Sequence, residues 1–224
     1  MQQIYGFIYD LGHLDDGTVT VGTALTGKRF KVQVKKDRNL IYYDVEKGYN
    51  IEVPCQFGGG IYKLSLYKQT EKNEYKLETS IKINVTDEQA QKYMLSPNVY
   101  VNYAEWPTLM ISESSPMESF DAIRNYIRQN YLYDYVRATI VKSNTLPDIP
   151  YCIKNKRGIC QDLAALAVAM CRTANIPARL IIGHADTHYH AWLEVIIDDK
   201  TILYDPTAEA LHKEIKNYEN ERWY

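Results

Sequence analysis

Three residues in the C-terminal half of the chain combine a nucleophile, a base and an acid. Cys160 lies where a glycine-containing loop enters an apolar segment, His190 stands near the start of a strand-like run, and Asp205 ends the next such run. A thiol can attack a carbonyl carbon when a neighbouring imidazole takes its proton, and a carboxylate can hold that imidazole in place. These residue types predict nucleophilic catalysis by a cysteine, provided that the fold brings them together.

The segment that begins at Cys160 is predicted to be a central helix. Residues 160–174 are rich in helix-forming residues and apolar on nearly all sides, which is typical of a buried helix. At its N-terminus Cys160 would face unpaired backbone N–H groups and the positive end of the helix dipole, which favour a thiolate and can bind an oxyanion. The other three cysteines have no comparable setting and are predicted to be packing residues: Cys55, Cys152 and Cys171.

Two predicted strands carry the base and the acid. The runs 189–197 and 201–205 are joined by turn residues, which predicts an antiparallel hairpin. Side chains alternate along a strand, so His190 and Trp192 lie on one face, and Trp192 is a candidate substrate contact. The pairing of the two strands could bring Asp205 beside His190.

The histidines before and within this hairpin allow a second interpretation. His184, His188 and His190 are close in sequence, and imidazoles two residues apart on a strand can share a metal ion. The sequence offers no further ligands unless Cys160 or Asp205 is taken, so we expect neither a metal nor another cofactor.

The N-terminal part is predicted to be β-rich. Residues 1–85 contain short strand-like runs separated by turn residues, which is typical of an antiparallel sandwich. The predicted strands are 4–9, 18–24, 29–34, 40–44, 49–53, 61–67 and 75–83. We expect residues 86–114 to be a connector with a short capped helix, followed by a catalytic domain over 115–224.

The catalytic domain is predicted to begin with a helix after Ser115, followed by a long loop. Residues 132–153 contain two prolines and little periodicity, which favours a loop. Long ordered loops often line sites, so Tyr133 and Tyr135 are candidates for facing the cleft and binding substrate, although either ring could instead anchor the loop.

Four short motifs resemble the core of the transglutaminase-like superfamily. They are Arg-Gly-Ile-Cys-Gln-Asp-Leu-Ala at 157–164, Asn-Ile-Pro-Ala-Arg at 175–179, His-Ala-Trp-Leu-Glu-Val at 190–195 and Tyr-Asp-Pro-Thr at 204–207. The β-rich leader is similar to regions that precede such cores in some bacterial members. The resemblance implies a papain-like fold, with Cys160 as nucleophile, His190 as base and Asp205 as the residue that orients the base.

The resemblance also implies a reaction class. It implies acyl transfer or hydrolysis on a glutamine carboxamide or a peptide bond through a thioester, as in transglutaminases, deamidases and cysteine peptidases, with no calcium requirement. In some relatives an aromatic side chain completes the oxyanion hole, and Tyr133 or Tyr135 is a candidate. The alternative is a catalytically silent module that binds a protein or polysaccharide. The predicted fold class is α+β: an antiparallel sandwich followed by a papain-like core of a central helix on an antiparallel sheet.

Composition limits the partners. The net charge of −2 over 224 residues gives no global attraction to nucleic acid, and no apolar run is long enough to span a membrane. The first residues lack the features of a signal peptide, so we expect a cytoplasmic protein unless the natural chain begins earlier. The expected partner is a protein or peptide substrate, and the sequence makes no prediction of oligomeric state.

Overall fold

The computed structural model describes residues 1–103, 111, 113–142 and 145–224. The chain divides into two compact units, Met1–Asn98 and Val99–Tyr224. Within the predicted connector, residues 104–110 and 112 lie outside the described residues. In the described ranges, no helix is long and apolar enough to cross a membrane.

The N-terminal unit is built on two antiparallel sheets of four strands each. In chain order the strands are β1 (Gln2–Ile4), β2 (Phe7–Asp10), β3 (Thr18–Thr23), β4 (Phe30–Lys36), β5 (Asn39–Val45), β6 (Ile51–Pro54), β7 (Gly60–Glu71) and β8 (Glu74–Val85). The sheets have the orders β1-β2-β3-β6 and β5-β4-β7-β8. Alternate residues of β4 are buried, as the predicted apolar face of a sandwich requires: Phe30, Val32 and Val34. A short helix, α1 (Asp87–Lys92), follows with Thr86 as its cap.

The first predicted strand, 4–9, is wrong, because the chain reverses within it. β1 and β2 form a hairpin whose two turn residues are Tyr5 and Gly6, with φ of 46° and 80°. Positive φ at both positions of a two-residue turn matches the twist of the flanking strands, and Gly6 adopts such a φ without steric cost. Tyrosine is common in strands, but Tyr5 occupies a turn, so the local sequence did not indicate that the chain reverses here.

The C-terminal unit places a central helix on an antiparallel sheet. Its helices are α2 (Pro116–Asn130), α3 (Tyr135–Ile140), α4 (Ile149–Asn155), α5 (Cys160–Thr173) and α6 (Pro206–Ala210). Its strands are β9 (Leu132–Tyr133), β10 (Arg157–Gly158), β11 (Ala178–Ala185), β12 (His188–Ile197), β13 (Lys200–Tyr204) and β14 (Tyr218–Trp223). β9 and β10 form a short parallel pair, and the main sheet has the order β13-β12-β11-β14. Helix α5 is buried along nearly its whole length and packs against β11 and β12, so the predicted central helix on an antiparallel sheet is confirmed.

The predicted loop over 132–153 is wrong, because it contains the short helices α3 and α4. Each begins at an aspartate whose carboxylate accepts a backbone N–H: Asp134 from Arg137 and Asp148 from Tyr151, both at 2.9 Å. Pro150 lies in the first turn of α4, where its missing N–H has no helical partner to lose. Helices of six or seven residues are too short to show a clear apolar period. The capping aspartates are the sequence feature that could have indicated them.

Candidate active site

Cys160 is the first residue of α5, and a buried carboxylate fixes the turn in which it lies. Asp162 is fully buried, and its Oδ2 accepts the backbone N–H of Ile159 at 3.1 Å. Its Oδ1 accepts the backbone N–H of Asp148 at 2.9 Å, and Arg137 donates to Oδ2 at 2.9 Å. The residue before Cys160 is therefore tied to the first turn of the helix, while Cys160 itself remains partly exposed.

His190 and Asp205 are in direct contact. Nε2 of His190 lies 2.7 Å from Oδ2 of Asp205. The pairing of β12 with β13 ends at Leu193 and Tyr204, so the chain leaves the sheet at Asp205 on the side where His190 lies. The other carboxylate oxygen, Oδ1, accepts the backbone N–H groups of Thr207 and Ala208, each at 2.9 Å. Asp205 thus caps α6 with one oxygen and holds the imidazole with the other.

The side chain of His190 also lies within hydrogen-bonding reach of Cys160. Burial by itself lowers the pKa of His190, but hydrogen bonds and charge interactions with Asp205 and Cys160 outweigh it and raise the pKa to about 9. Because Asp205 engages Nε2, Nδ1 is the nitrogen left for the thiol. The imidazole therefore lies between a thiol and a carboxylate, and its protonated form is favoured at neutral pH.

Tyr218 joins this group, and the sequence analysis missed it. Its hydroxyl donates to Oδ2 of Asp205 at 3.0 Å, and its ring packs edge-on against Trp192 with centroids 4.9 Å apart. The alternation of charged residues with aromatic and polar ones over 218–223 is typical of a strand, and it could have predicted the strand that carries Tyr218.

The three aromatic residues predicted to contact substrate lie in different environments. Trp192 is fully buried and stacks on the His190 ring, with centroids 6.3 Å apart and 24° between planes, so it offers no surface to a substrate. Tyr133 pairs with Gly158, two residues before Cys160. The pKa of Tyr133 is raised, first by burial and then by the charge of Cys160. Tyr135 is 65% exposed, and its ring packs edge-on against that of Tyr133 at 5.0 Å.

The remaining cysteines are buried away from solvent. Burial raises the pKa of Cys55 and that of Cys171 to about 12, and burial followed by the charge of Asp162 does the same for Cys152. These thiols are therefore neutral throughout the physiological range, which agrees with their interpretation as packing residues.

The other two histidines of the predicted cluster lie on the surface. His184 pairs with Glu221, with Nδ1 and Oε1 3.1 Å apart, and His188 contacts Thr187. Within the described ranges, no three side chains of the His, Cys, Asp and Glu types form a group that could hold a metal ion.

Comparisons with known proteins point to one family. Residues 108–206 match the family model of the transglutaminase-like superfamily. No curated protein sequence matches the chain. The structure is similar to that of a Cytophaga hutchinsonii protein proposed to be a cysteine protease, with 17% identity and a TM-score of 0.47 over 85% of this chain and 71% of that one.

Two further solved structures match the chain. The periplasmic domain of TgpA from Pseudomonas aeruginosa is 12% identical, with a TM-score of 0.41 over 95% of this chain and 96% of that one. Red sea bream transglutaminase is 13% identical, with a TM-score of 0.34 over 89% of this chain, which spans 49% of that protein. The matched residues 108–206 lie within the C-terminal unit and include Cys160, His190 and Asp205.

Proposed function

We propose that this protein is a cysteine acyltransferase or hydrolase that acts on a glutamine carboxamide or a peptide bond of a protein or peptide substrate. One observation carries the proposal: His190 contacts Asp205 at 2.7 Å and lies within hydrogen-bonding reach of Cys160, at the N-terminus of a buried helix. A base held between a carboxylate and a thiol is the arrangement that nucleophilic catalysis by cysteine needs.

The proposed reaction begins from a thiolate and an imidazolium. Cys160 Sγ attacks the carbonyl carbon, and the oxyanion that forms is stabilised by backbone N–H groups in the first turn of α5. His190 gives its proton to the departing nitrogen as the C–N bond breaks, which releases ammonia from a carboxamide or an amine from a peptide bond. The product of this half-reaction is a thioester on Cys160.

The second half-reaction releases the acyl group. His190 takes a proton from water or from an amine, which attacks the thioester carbon while the C–S bond breaks. Water yields a carboxylic acid and an amine yields a new amide, and His190 again carries the proton shared with the thiol. Asp205 keeps the imidazole oriented in both halves.

Two tyrosines are proposed substrate contacts at this site. Tyr133 pairs with Gly158, two residues before Cys160, and we assign its hydroxyl as a donor to the oxyanion; the exposed ring of Tyr135 packs beside that of Tyr133. An exposed aromatic ring next to a nucleophile provides an apolar surface for a side chain of the substrate.

Peptide mass spectrometry tests the proposal. Glutamine-containing peptides are incubated with the protein, with and without a primary amine. Deamidation replaces an amide NH₂ by OH, transamidation adds the amine with loss of ammonia, and cleavage gives two shorter peptides. Cys160→Ala should abolish all products and the rapid labelling by a thiol-directed probe, whereas Cys55→Ala should leave both intact. Labelling of Cys160→Ala at the wild-type rate, or peptides that stay unaltered under every condition, would contradict the proposed function.

A further inference from the structure

The Asp205 carboxylate accepts four hydrogen bonds, and one of them comes from the strand at the opposite edge of the sheet. Backbone N–H groups of Thr207 and Ala208 donate to Oδ1. His190 and Tyr218 both contact Oδ2, at 2.7 and 3.0 Å. The first three donors follow from the local geometry of β12, β13 and the α6 cap, whereas the Tyr218 hydroxyl comes from β14.

Tyr218 reaches Asp205 across the face of the sheet. β14 pairs with β11, with Tyr218 opposite Ala185, while Asp205 follows β13 at the other side of the sheet. The Tyr218 ring lies against Trp192 of the intervening strand β12, and Trp192 in turn stacks on His190. The aromatic packing holds the phenol where its hydroxyl meets the carboxylate.

We propose that Tyr218 is a positioning residue for the reaction of Cys160: its hydroxyl fixes the Asp205 carboxylate so that Oδ2 faces His190. The inference rests on the proposed function, since it assigns Tyr218 a part in the same reaction. Tyr218 does not contact the reacting atoms and acts only through Asp205 and His190.

The chemistry of the phenol suits this role. Burial first, and then the negative charge of Asp205, raise the pKa of Tyr218, so the hydroxyl stays protonated and donating well into the alkaline range. Asp205 is almost fully buried, and a buried carboxylate oxygen that loses a donor is poorly compensated. Without the phenol, Oδ2 would keep only His190 as a partner, which leaves the plane of the carboxylate less constrained.

Removal of the Tyr218 hydroxyl also changes the electrostatic environment of His190. A phenol that donates to Oδ2 disperses the negative charge of the carboxylate and competes with the imidazole for the same oxygen. In its absence, Asp205 should hold the imidazolium proton more tightly. The expected signature is therefore a reduced rate together with an upward shift of the His190 titration.

The test compares Tyr218→Phe with wild type in two measurements. Phenylalanine keeps the ring that packs on Trp192 and removes only the hydroxyl. We expect kcat/KM to fall about tenfold, the loss that corresponds to one hydrogen bond to a charged group. The imidazole of His190, followed by NMR and assigned with His190→Gln, should titrate about half a pH unit higher than in wild type.

Tyr189→Phe is the matched control. Tyr189 is the neighbour of His190 on β12, but it is exposed and its hydroxyl contacts Arg222 on the surface. This variant should change neither kcat/KM nor the His190 titration.

A second variant separates the contribution of the Tyr218 hydroxyl from that of its ring. If Tyr218→Phe matches wild type in both measurements while Tyr218→Leu is slow, the ring only packs and the inference is overturned. If wild type shows no acyl-transfer activity, the proposed function fails, yet the titration of His190 in Tyr218→Phe still decides whether the hydroxyl acts on the pair. An unchanged titration overturns the inference, and an upward shift supports it.

Discussion

Arg137 donates a hydrogen bond from Nε to Oδ2 of Asp162 at 2.9 Å, which joins helix α3 to the first turn of α5. The same oxygen accepts the N–H of Ile159, the residue before Cys160. Asp162 is fully buried and the Arg137 side chain is 18% exposed, so the pair is largely shielded from solvent. The position of the thiol therefore depends on an ion pair that does not itself face the imidazole.

Asp162→Asn should destabilise the C-terminal unit by about 2 kcal/mol, because the mostly buried Arg137 guanidinium loses its buried partner and keeps the more distant Asp148 carboxylate at 3.7 Å. Urea unfolding followed by tryptophan fluorescence measures this change, since all three tryptophans lie after residue 98. Asp121→Asn is the control: it breaks an exposed pair with Arg124, 3.6 Å across one helical turn, and should cost less than about 0.5 kcal/mol. Equal losses in the two variants would contradict the prediction.

The raised pKa of His190 predicts a pH-dependent stability. The folded state holds the proton with a pKa of about 9, against 6.5 for an ordinary histidine. The stabilisation from His190 is therefore fully present below about pH 6.5 and is lost as the pH rises through about 9. Its full size is at most about 3.5 kcal/mol, since one pKa unit corresponds to about 1.4 kcal/mol.

The measurement is the difference in unfolding free energy between wild type and His190→Gln, taken at about pH 6 and again at about pH 9.5. The wild-type advantage should shrink at the higher pH, because the folded protein then also loses the proton. A difference that is the same at both values, or that grows with pH, would show that His190 is not held as an imidazolium.

The contact between His190 and Asp205 could be predicted from a single hairpin. His190 lies on β12 and Asp205 directly follows β13, so strand alternation and register were enough to place them together. The contact of Tyr218 could not be predicted in this way, because it depends on the pairing of β14 with β11, which are separated by the β12–β13 hairpin. The bond from Arg137 to Asp162 was hidden for a similar reason, since α3 is too short to show helical periodicity.

Tyr133 and Tyr135 should affect different kinetic constants. Tyr133 pairs with Gly158, two residues before Cys160, and is the proposed side-chain donor to the oxyanion; removal of such a donor typically lowers kcat by about 10²-fold or more. Tyr133→Phe should therefore lower kcat with little change in KM. Tyr135→Ala removes an exposed apolar surface and should raise KM, because contacts made equally in the ground and transition states affect binding alone.

Steady-state kinetics on one glutamine peptide separates the two effects. A Tyr133→Phe variant with the wild-type kcat would remove Tyr133 from the proposed oxyanion hole, and the backbone N–H groups of α5 would then be its remaining donors.

Asp205 has two tasks that substitution can separate. Asparagine retains an oxygen that can accept from Thr207 and Ala208, so Asp205→Asn should keep the α6 cap. Its amide nitrogen cannot accept a hydrogen bond from His190, and its loss of charge removes the main cause of the raised His190 pKa. We expect kcat to fall by about 10²-fold or more, and the NMR titration of His190 to move down from about 9 towards the ordinary value.

Asp205→Ala should in addition lower the free energy of unfolding by about 1 kcal/mol, because the cap of α6 is lost as well. If Asp205→Asn titrates like wild type, the carboxylate does not govern the protonation of His190, and the imidazole must owe its raised pKa to Cys160.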